Sequence, residues 1–188
     1  MRFILVSFAL FFSAFSALAG PAIEQFDVFT SGQDGYHTYR IPAVIRAKNG
    51  ALLAFCEGRK SAGGDAGDID LLLKRSTDGG RMWSAQHVVW DDAANTCGNP
   101  CPVLDESTGT LWLLLTHNIG TEHESAIITK KTTGTRTVWV THSRDHGATW
   151  VPPAEITRTA KDPSWGWYAT GPGVGFQIKH GPHAGRLV

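Results

Sequence analysis

The 188-residue chain carries 17 Lys and Arg against 17 Asp and Glu, so its formal charge is zero and nothing in it calls for a polyanionic partner such as nucleic acid. Its 21 Gly and 7 Trp favour many turns and bulky strand anchors over helices, and no long helical period follows the first twenty positions. The composition is that of an all-β protein.

Residues 1–19 read as a signal peptide. Arg2 supplies the positive end, Phe3 to Phe15 is an apolar run too short for a comfortable membrane span, and Ala17-Leu18-Ala19 is an A-x-A cleavage site. The alternative is a retained anchor, against which no basic stop-transfer cluster follows Gly20-Pro21. The expectation is a secreted or periplasmic domain over 20–188, with no stable membrane insertion after cleavage.

The first folded unit opens on Tyr39-Arg40-Ile41-Pro42 and runs through an apolar strand, a Lys48-Asn49-Gly50 turn and a second apolar strand to Phe55. Arg40 stands where its guanidinium either caps the strand or holds a carboxylate through two parallel bonds. Cys56-Glu57-Gly58-Arg59 ends the second strand. A small-residue loop follows, with carboxylates at Asp65, Asp68 and Asp70; each is either a turn former or a group displayed over a ligand. A third strand, Asp70 to Arg75, runs into Ser76-Thr77-Asp78-Gly79-Gly80-Arg81-Met82-Trp83, and Gln86 to Trp90 forms a fourth.

The layout then repeats. Pro102 to Leu115 makes a second hairpin, Thr137 to Thr141 a third strand, and Ser143-Arg144-Asp145-His146-Gly147-Ala148-Thr149-Trp150 a second copy of S-x-D-x-G-x-x-W before Ala154-Glu155-Ile156. That pattern is the chemistry of a tight turn: an Asp that binds backbone N–H groups, a Gly free to take φ > 0, and an aromatic anchor. A third hairpin is expected from Gly171 to Ile178 and from Arg186 to Val188. Four antiparallel strands every 60 to 70 residues or so is the arithmetic of a β-propeller blade. About two and a half blades are present where closure takes four to eight, so the chain is expected to be the N-terminal portion of a longer protein.

Cys97 and Cys101 are close enough in sequence to bridge, whereas Cys56 sits in an apolar strand as a small buried hydrophobe. Eight His are scattered without ligand spacing, so no metal and no cofactor is expected.

Taken together, Tyr-Arg-Ile-Pro at 39–42, Glu-Gly-Arg at 57–59, Gly-Asp-Ala-Gly-Asp-Ile-Asp at 64–70, the two Asp-containing turns and Ala-Thr-Gly-Pro-Gly at 169–173 resemble the exo-sialidase (neuraminidase) family of bacterial and animal type. The resemblance covers about residues 26–188. It implies a six-bladed β-propeller that removes terminal sialic acid from glycoconjugates with retention, so that sialylated glycans are the expected partners. It makes Arg40 the first of three arginines that grip the sugar carboxylate, Arg59 a ligand of the ring's distal hydroxyl, and Asp65 the acid/base carboxylate, with Asp68 the competing assignment. Asn99 falls where some members contact substrate. The family's Tyr nucleophile, its Glu partner and the other two arginines have no counterpart here, and the resemblance does not extend to Tyr36, Tyr39 or Tyr168. A non-catalytic propeller of the same repeat, binding glycans or proteins, is the alternative; an Asp in the 60–70 loop favours the enzyme.

Overall fold

The computed structural model describes residues 23–188, so the expected signal peptide over 1–19 lies outside the described residues. Strands β1 (Thr38–Arg46), β2 (Leu52–Arg59), β3 (Ile69–Ser76) and β4 (His87–Trp90) pair in sequence as an antiparallel meander. The pattern recurs in β5 (Thr96–Leu104), β6 (Leu111–Asn118), β7 (Thr137–Ser143) and the two-residue β8 (Ala154–Glu155). A single parallel bridge, Ile69 to Thr96, joins the two meanders. Two short helices, α1 (Glu124–Ile128) and α2 (Thr157–Ala160), lie between β6 and β7 and after β8.

The repeat is real, but its register is offset by two residues from the one that the Pro-led hairpins starting at Pro42 and Pro102 imply. Arg40 and Ala43 flank a bulge on β1 as Gly98 and Cys101 flank one on β5, so Pro42 corresponds to Pro100. A two-residue slip leaves every side chain on the same sheet face, so the apolar pattern could not detect it. The third hairpin is present as a narrow ribbon: Phe176 and Val188 exchange both backbone bonds at 2.8 and 2.9 Å, and Gly175 N–H donates to Pro102 O at 2.8 Å.

The core is the seam between the meanders. Leu53, Phe55, Leu71 and Leu73 from the first interleave with Leu111, Leu113 and Leu115 from the second, all essentially inaccessible to water. Cys56 and Leu72, on the opposite face of the first meander, pack under Tyr36. Both faces are thus covered, which is why β2 and β3 read as continuous apolar runs and not as alternation.

Both S-x-D-x-G-x-x-W segments form the expected turns. Asp78 Oδ1 accepts from Met82 N–H at 3.0 Å and Arg81 N–H at 3.1 Å, and Asp145 Oδ1 accepts from Thr149 N–H at 2.9 Å. Both carboxyls are held below their ordinary range, Asp78 chiefly by the Met82 N–H and Asp145 first by the Thr149 hydroxyl, which donates to its Oδ2 at 2.5 Å, and then by the Thr149 N–H. Gly147 (φ 80°) lies against the first meander, where a Cβ would fall 2.2 Å from Leu53 Cδ2. The three cysteines are free thiols; Cys97 and Cys101 sit on one strand on either side of its bulge and do not bridge. No helix among the described residues is long and apolar enough to cross a membrane.

Candidate active site

The functional side chains gather at one end of the two meanders, where β1 and β5 begin and β2 and β6 finish. Each bulge there holds a non-glycine residue in the left-handed region, Ile41 at φ 57° and Asn99 at φ 53°. Asn tolerates that conformation; a β-branched Ile does not, and strain of this kind costs about 1–3 kcal/mol. Bulges bend a strand and re-aim its side chains. Here they turn Arg40 and Asn99 toward the β2–β3 loop and the opening of β7.

Arg59, at the end of β2, is the hub and is 2% exposed. Its Nη2 and Nε donate to Glu57 Oε2 at 2.6 and 3.2 Å, and its Nη1 donates to the carbonyls of Gly63 and Gly64 at 2.6 and 2.7 Å. Through Nη2 it also pairs with Asp65 Oδ1 at 2.8 Å. Arg40 reaches the same two groups from the other side, Nη1 lying 2.9 Å from Asp65 Oδ1 and 3.0 Å from Gly63 O. Two guanidiniums thus converge on one oxygen of Asp65, whose Oδ2 has no protein partner among the described residues. Arg40 and Asp65 remain 44% and 49% exposed, so this part of the site is open to solvent.

Asp68 is handled differently. It pairs with Lys60 Nζ at 3.4 Å, and that ammonium also reaches Asp70 at 3.1 Å and lies 5.9 Å from the centroid of the Tyr36 ring. Tyr36 donates its hydroxyl to Asp70, whose burial pushes its carboxyl up. This cluster closes the base of the 60–68 loop, with Lys60 N–H bonded to Asp68 O at 3.1 Å, and leaves Asp65 at the arginines.

Glu57 links the two meanders. While Oε2 serves Arg59, Oε1 accepts the Asn99 N–H at 2.9 Å. Gly98 permits this approach, since a Cβ there would fall 2.3 Å from Oε1. The Asn99 side chain lines the site, but protein partners engage it: Oδ1 accepts from Arg136 Nη2 and from Thr116 Oγ1 (2.9 Å), and Nδ2 donates to Gly171 O at 3.1 Å.

A polar cavity of about 90 Å³ results, lined by Ile41, Glu57, Arg59, Asp65, Asn99, Glu124, Arg136 and Trp167. Five of these, Ile41, Glu57, Glu124, Arg136 and Trp167, were not assigned from the sequence. Arg136 is 2% exposed, donates from Nε to Thr116 Oγ1 at 3.0 Å, and stacks with its guanidinium carbon 3.9 Å from the Trp167 ring centroid. Its Nη1 has no protein partner among the described residues, and burial pulls its pKa down to about 10. One signal was available. Counting back from the serine of each Asp-containing turn puts Arg136 opposite Ile69, so the repeat replaces a buried isoleucine with a charge. Tyr36 and Tyr39 lie outside the cavity; Tyr39 donates its hydroxyl to Gln33 O at 2.8 Å.

The family profile described as BNR repeat-like domain matches residues 50–188. An exo-alpha-sialidase of Aspergillus fumigatus is 34% identical over 90% of this chain and 49% of its own length. A sialidase of Micromonospora viridifaciens is 31% identical over 89% of this chain and 27% of its own. Among solved structures, the Hadza microbial sialidase Hz136 superposes with a TM-score of 0.71 at 29% identity, covering 79% of this chain and 32% of that one. The chain belongs to the BNR repeat-like domain family, and the relatives it matches are sialidases. It spans about half the length of the Aspergillus relative and less of the other two.

Proposed function

We propose that the protein carrying this chain is an exo-α-sialidase, a glycoside hydrolase that releases terminal sialic acid from glycoproteins, glycolipids and oligosaccharides with retention. We further infer a six-bladed propeller to which these residues contribute about two and a half blades. The observation that carries the reading is the convergence of Arg40 and Arg59 on Asp65 at the mouth of a polar cavity, in a chain whose relatives are sialidases. Export through residues 1–19 places the substrates outside the cytoplasm; N-terminal sequencing of the mature protein tests cleavage after Ala19.

The chemistry follows from the charges. Arg40 presents a permanent cation and a planar fork, suited to the carboxylate of the sugar and to an oxocarbenium-like transition state beside it. One nitrogen of that guanidinium, Nη1, pairs with Asp65 Oδ1 at 2.9 Å, beside the Arg59 contact to the same oxygen at 2.8 Å. A substrate carboxylate gripped by Arg40 is thereby held next to Asp65. From that position Asp65 acts as the general acid that protonates the departing sugar alkoxide. Arg59, locked by Glu57 and the loop carbonyls, keeps the acid within reach. The family's tyrosine nucleophile is one of the exceptions to two-carboxylate glycoside hydrolysis, and none of the tyrosines in this chain is given that role.

The test is incubation of the full-length protein with a sialyllactose and measurement of free sialic acid. Release that disappears in Arg40→Ala is the expected result. Glycan binding without release would replace the enzyme by a binding propeller.

A further inference from the structure

Lys161, which the sequence reading did not single out, is 7% exposed and has no carboxylate partner among the described residues. Burying an ammonium is costly unless its donors are satisfied. All three are: Nζ donates to Thr135 Oγ1 and to Arg136 O at 2.6 Å each, and to Gly166 O at 2.9 Å. Burial first, and the Arg136 charge second, pull its pKa down.

The three acceptors belong to two segments that are distant in the chain, 135–136 before β7 and the loop after α2. One residue along each segment stands a wall of the cavity, Arg136 on one side and Trp167 on the other, stacked at 3.9 Å. Apart from Lys161, the hydrogen bond joining these segments is the neutral one from Thr135 Oγ1 to Gly166 O at 3.1 Å. Gly166 also packs closely on the α1 backbone, where a Cβ would fall 2.7 Å from Ile127 O.

We propose that Lys161 is a positioning residue for the sialidase site: it sets the spacing of Arg136 and Trp167, and so the affinity of the cavity for substrate, without touching substrate itself. The proposal rests on the sialidase reading for its kinetic consequence, but not for its structural one. Lys161 also borders a second groove of about 360 Å³, lined by Pro163 and Trp165 among others and sharing no lining residue with the cavity. That groove gives a small amine a route to the ammonium position once the side chain is shortened.

The experiment uses the full-length protein. Lys161→Ala removes three hydrogen bonds from a charged donor, each of the strong class, and is expected to raise KM for a sialyllactose about ten- to a hundredfold with kcat within about twofold, the pattern of lost ground-state binding. n-Propylammonium should lower that KM saturably, propanol should not, and the parent should respond to neither. With 5-fluorotryptophan labelling, the Trp167 ¹⁹F line, assigned by Trp167→Phe, should move in Lys161→Ala and return with the amine. Parental KM in active-site-titrated enzyme, or a raised KM that the amine leaves unchanged with an unmoved Trp167 line, overturns the proposal. If the parent releases no sialic acid, the sialidase reading falls alone, and the ¹⁹F line decides on Lys161. Should Lys161→Ala fail to fold, Lys161→Met keeps the packing; parental KM and an unmoved Trp167 line in that variant overturn the proposal equally.

Discussion

The two four-stranded meanders share one backbone and differ in chemistry. Each opens on a bulge with a left-handed residue followed by Pro, Ile41-Pro42 in the first and Asn99-Pro100 in the second, and each runs its third strand into the same Asp-containing turn. At matched positions the first carries Arg40, Glu57, Arg59 and Ile69, and the second Gly98, Thr116, Asn118 and Arg136. Strand for strand, the charges of one are the small or neutral groups of the other. Glu57 fits only because Gly98 leaves room for it. The connections diverge as well. Residues 60–68 form a glycine-rich loop carrying Asp65, while 119–136 holds α1 and brings Arg136 to the cavity. A repeated scaffold supplies equivalent places, and loops and substitutions supply function.

The largest effect expected from breaking this division of labour is at Asp65. In the full-length protein, Asp65→Asn should lower kcat on natural sialosides about 10²- to 10⁴-fold, the usual worth of general acid assistance. Aryl sialosides with good leaving groups should lose far less, and Asp68→Asn, at the Lys60 side of the loop, should show no such split. Equal losses on both substrates would remove Asp65 from the acid role.

Next comes the buried pair. Glu57→Gln leaves Arg59 buried without its main counter-charge and should cost about 3–5 kcal/mol, whereas Thr116→Val at the matched position of the second meander takes one acceptor from the buried Arg136 without removing a charge and should cost about 1.5–3 kcal/mol. Urea unfolding of the two variants measures the difference; equal costs would mean that the Glu57–Arg59 pair is not the anchor of the first meander.

Arg40→Lys keeps the charge and loses the fork, so kcat/KM should fall about ten- to a hundredfold, the worth of 1.5–3 kcal/mol in bonds to a charged group. Folding should be little changed. Parental kinetics would make Arg40 a strand cap.

The two turns can be compared directly through their matched glycines. Gly80→Ala meets only ordinary contacts, with Leu52 Cδ1 at 3.5 Å, and pays the left-handed strain of about 1–2 kcal/mol. Gly147→Ala adds a clash with Leu53 at 2.2 Å and should cost about 1–3 kcal/mol more. Matching melting temperatures would show that the second turn is not wedged against the first meander.

The smallest effect concerns the bulges. Ile41→Asn copies the second meander's residue into the first, and should stabilise the fold by about 1 kcal/mol through relief of the left-handed isoleucine. A lower denaturation midpoint would show that Ile41 contributes packing that outweighs its strain.

Much of this was legible in the residues themselves. The Asp-containing turns rest on local geometry, an Asp bonding backbone within four residues, and so are written in short stretches of sequence. Hairpins were visible from apolar runs and turn residues, Arg40 stood out at the entry to the first strand, and Arg59 and Asp65 were singled out only through the resemblance to sialidases. Glu57 was quoted within a motif and given no role, because its second partner is the Asn99 backbone across the seam. The strand register escaped because a period of two hides a two-residue slip. Arg136, Trp167 and Lys161 escaped because they come together through the fold: Lys161 acts on segments 25 residues back and 5 ahead, and burial, which gives each of its bonds weight, is a property of packing. Local turn chemistry and strand pattern were therefore determined by the sequence alone, while the cavity, its buried charges and their partners were decided by tertiary contacts between two copies of one motif.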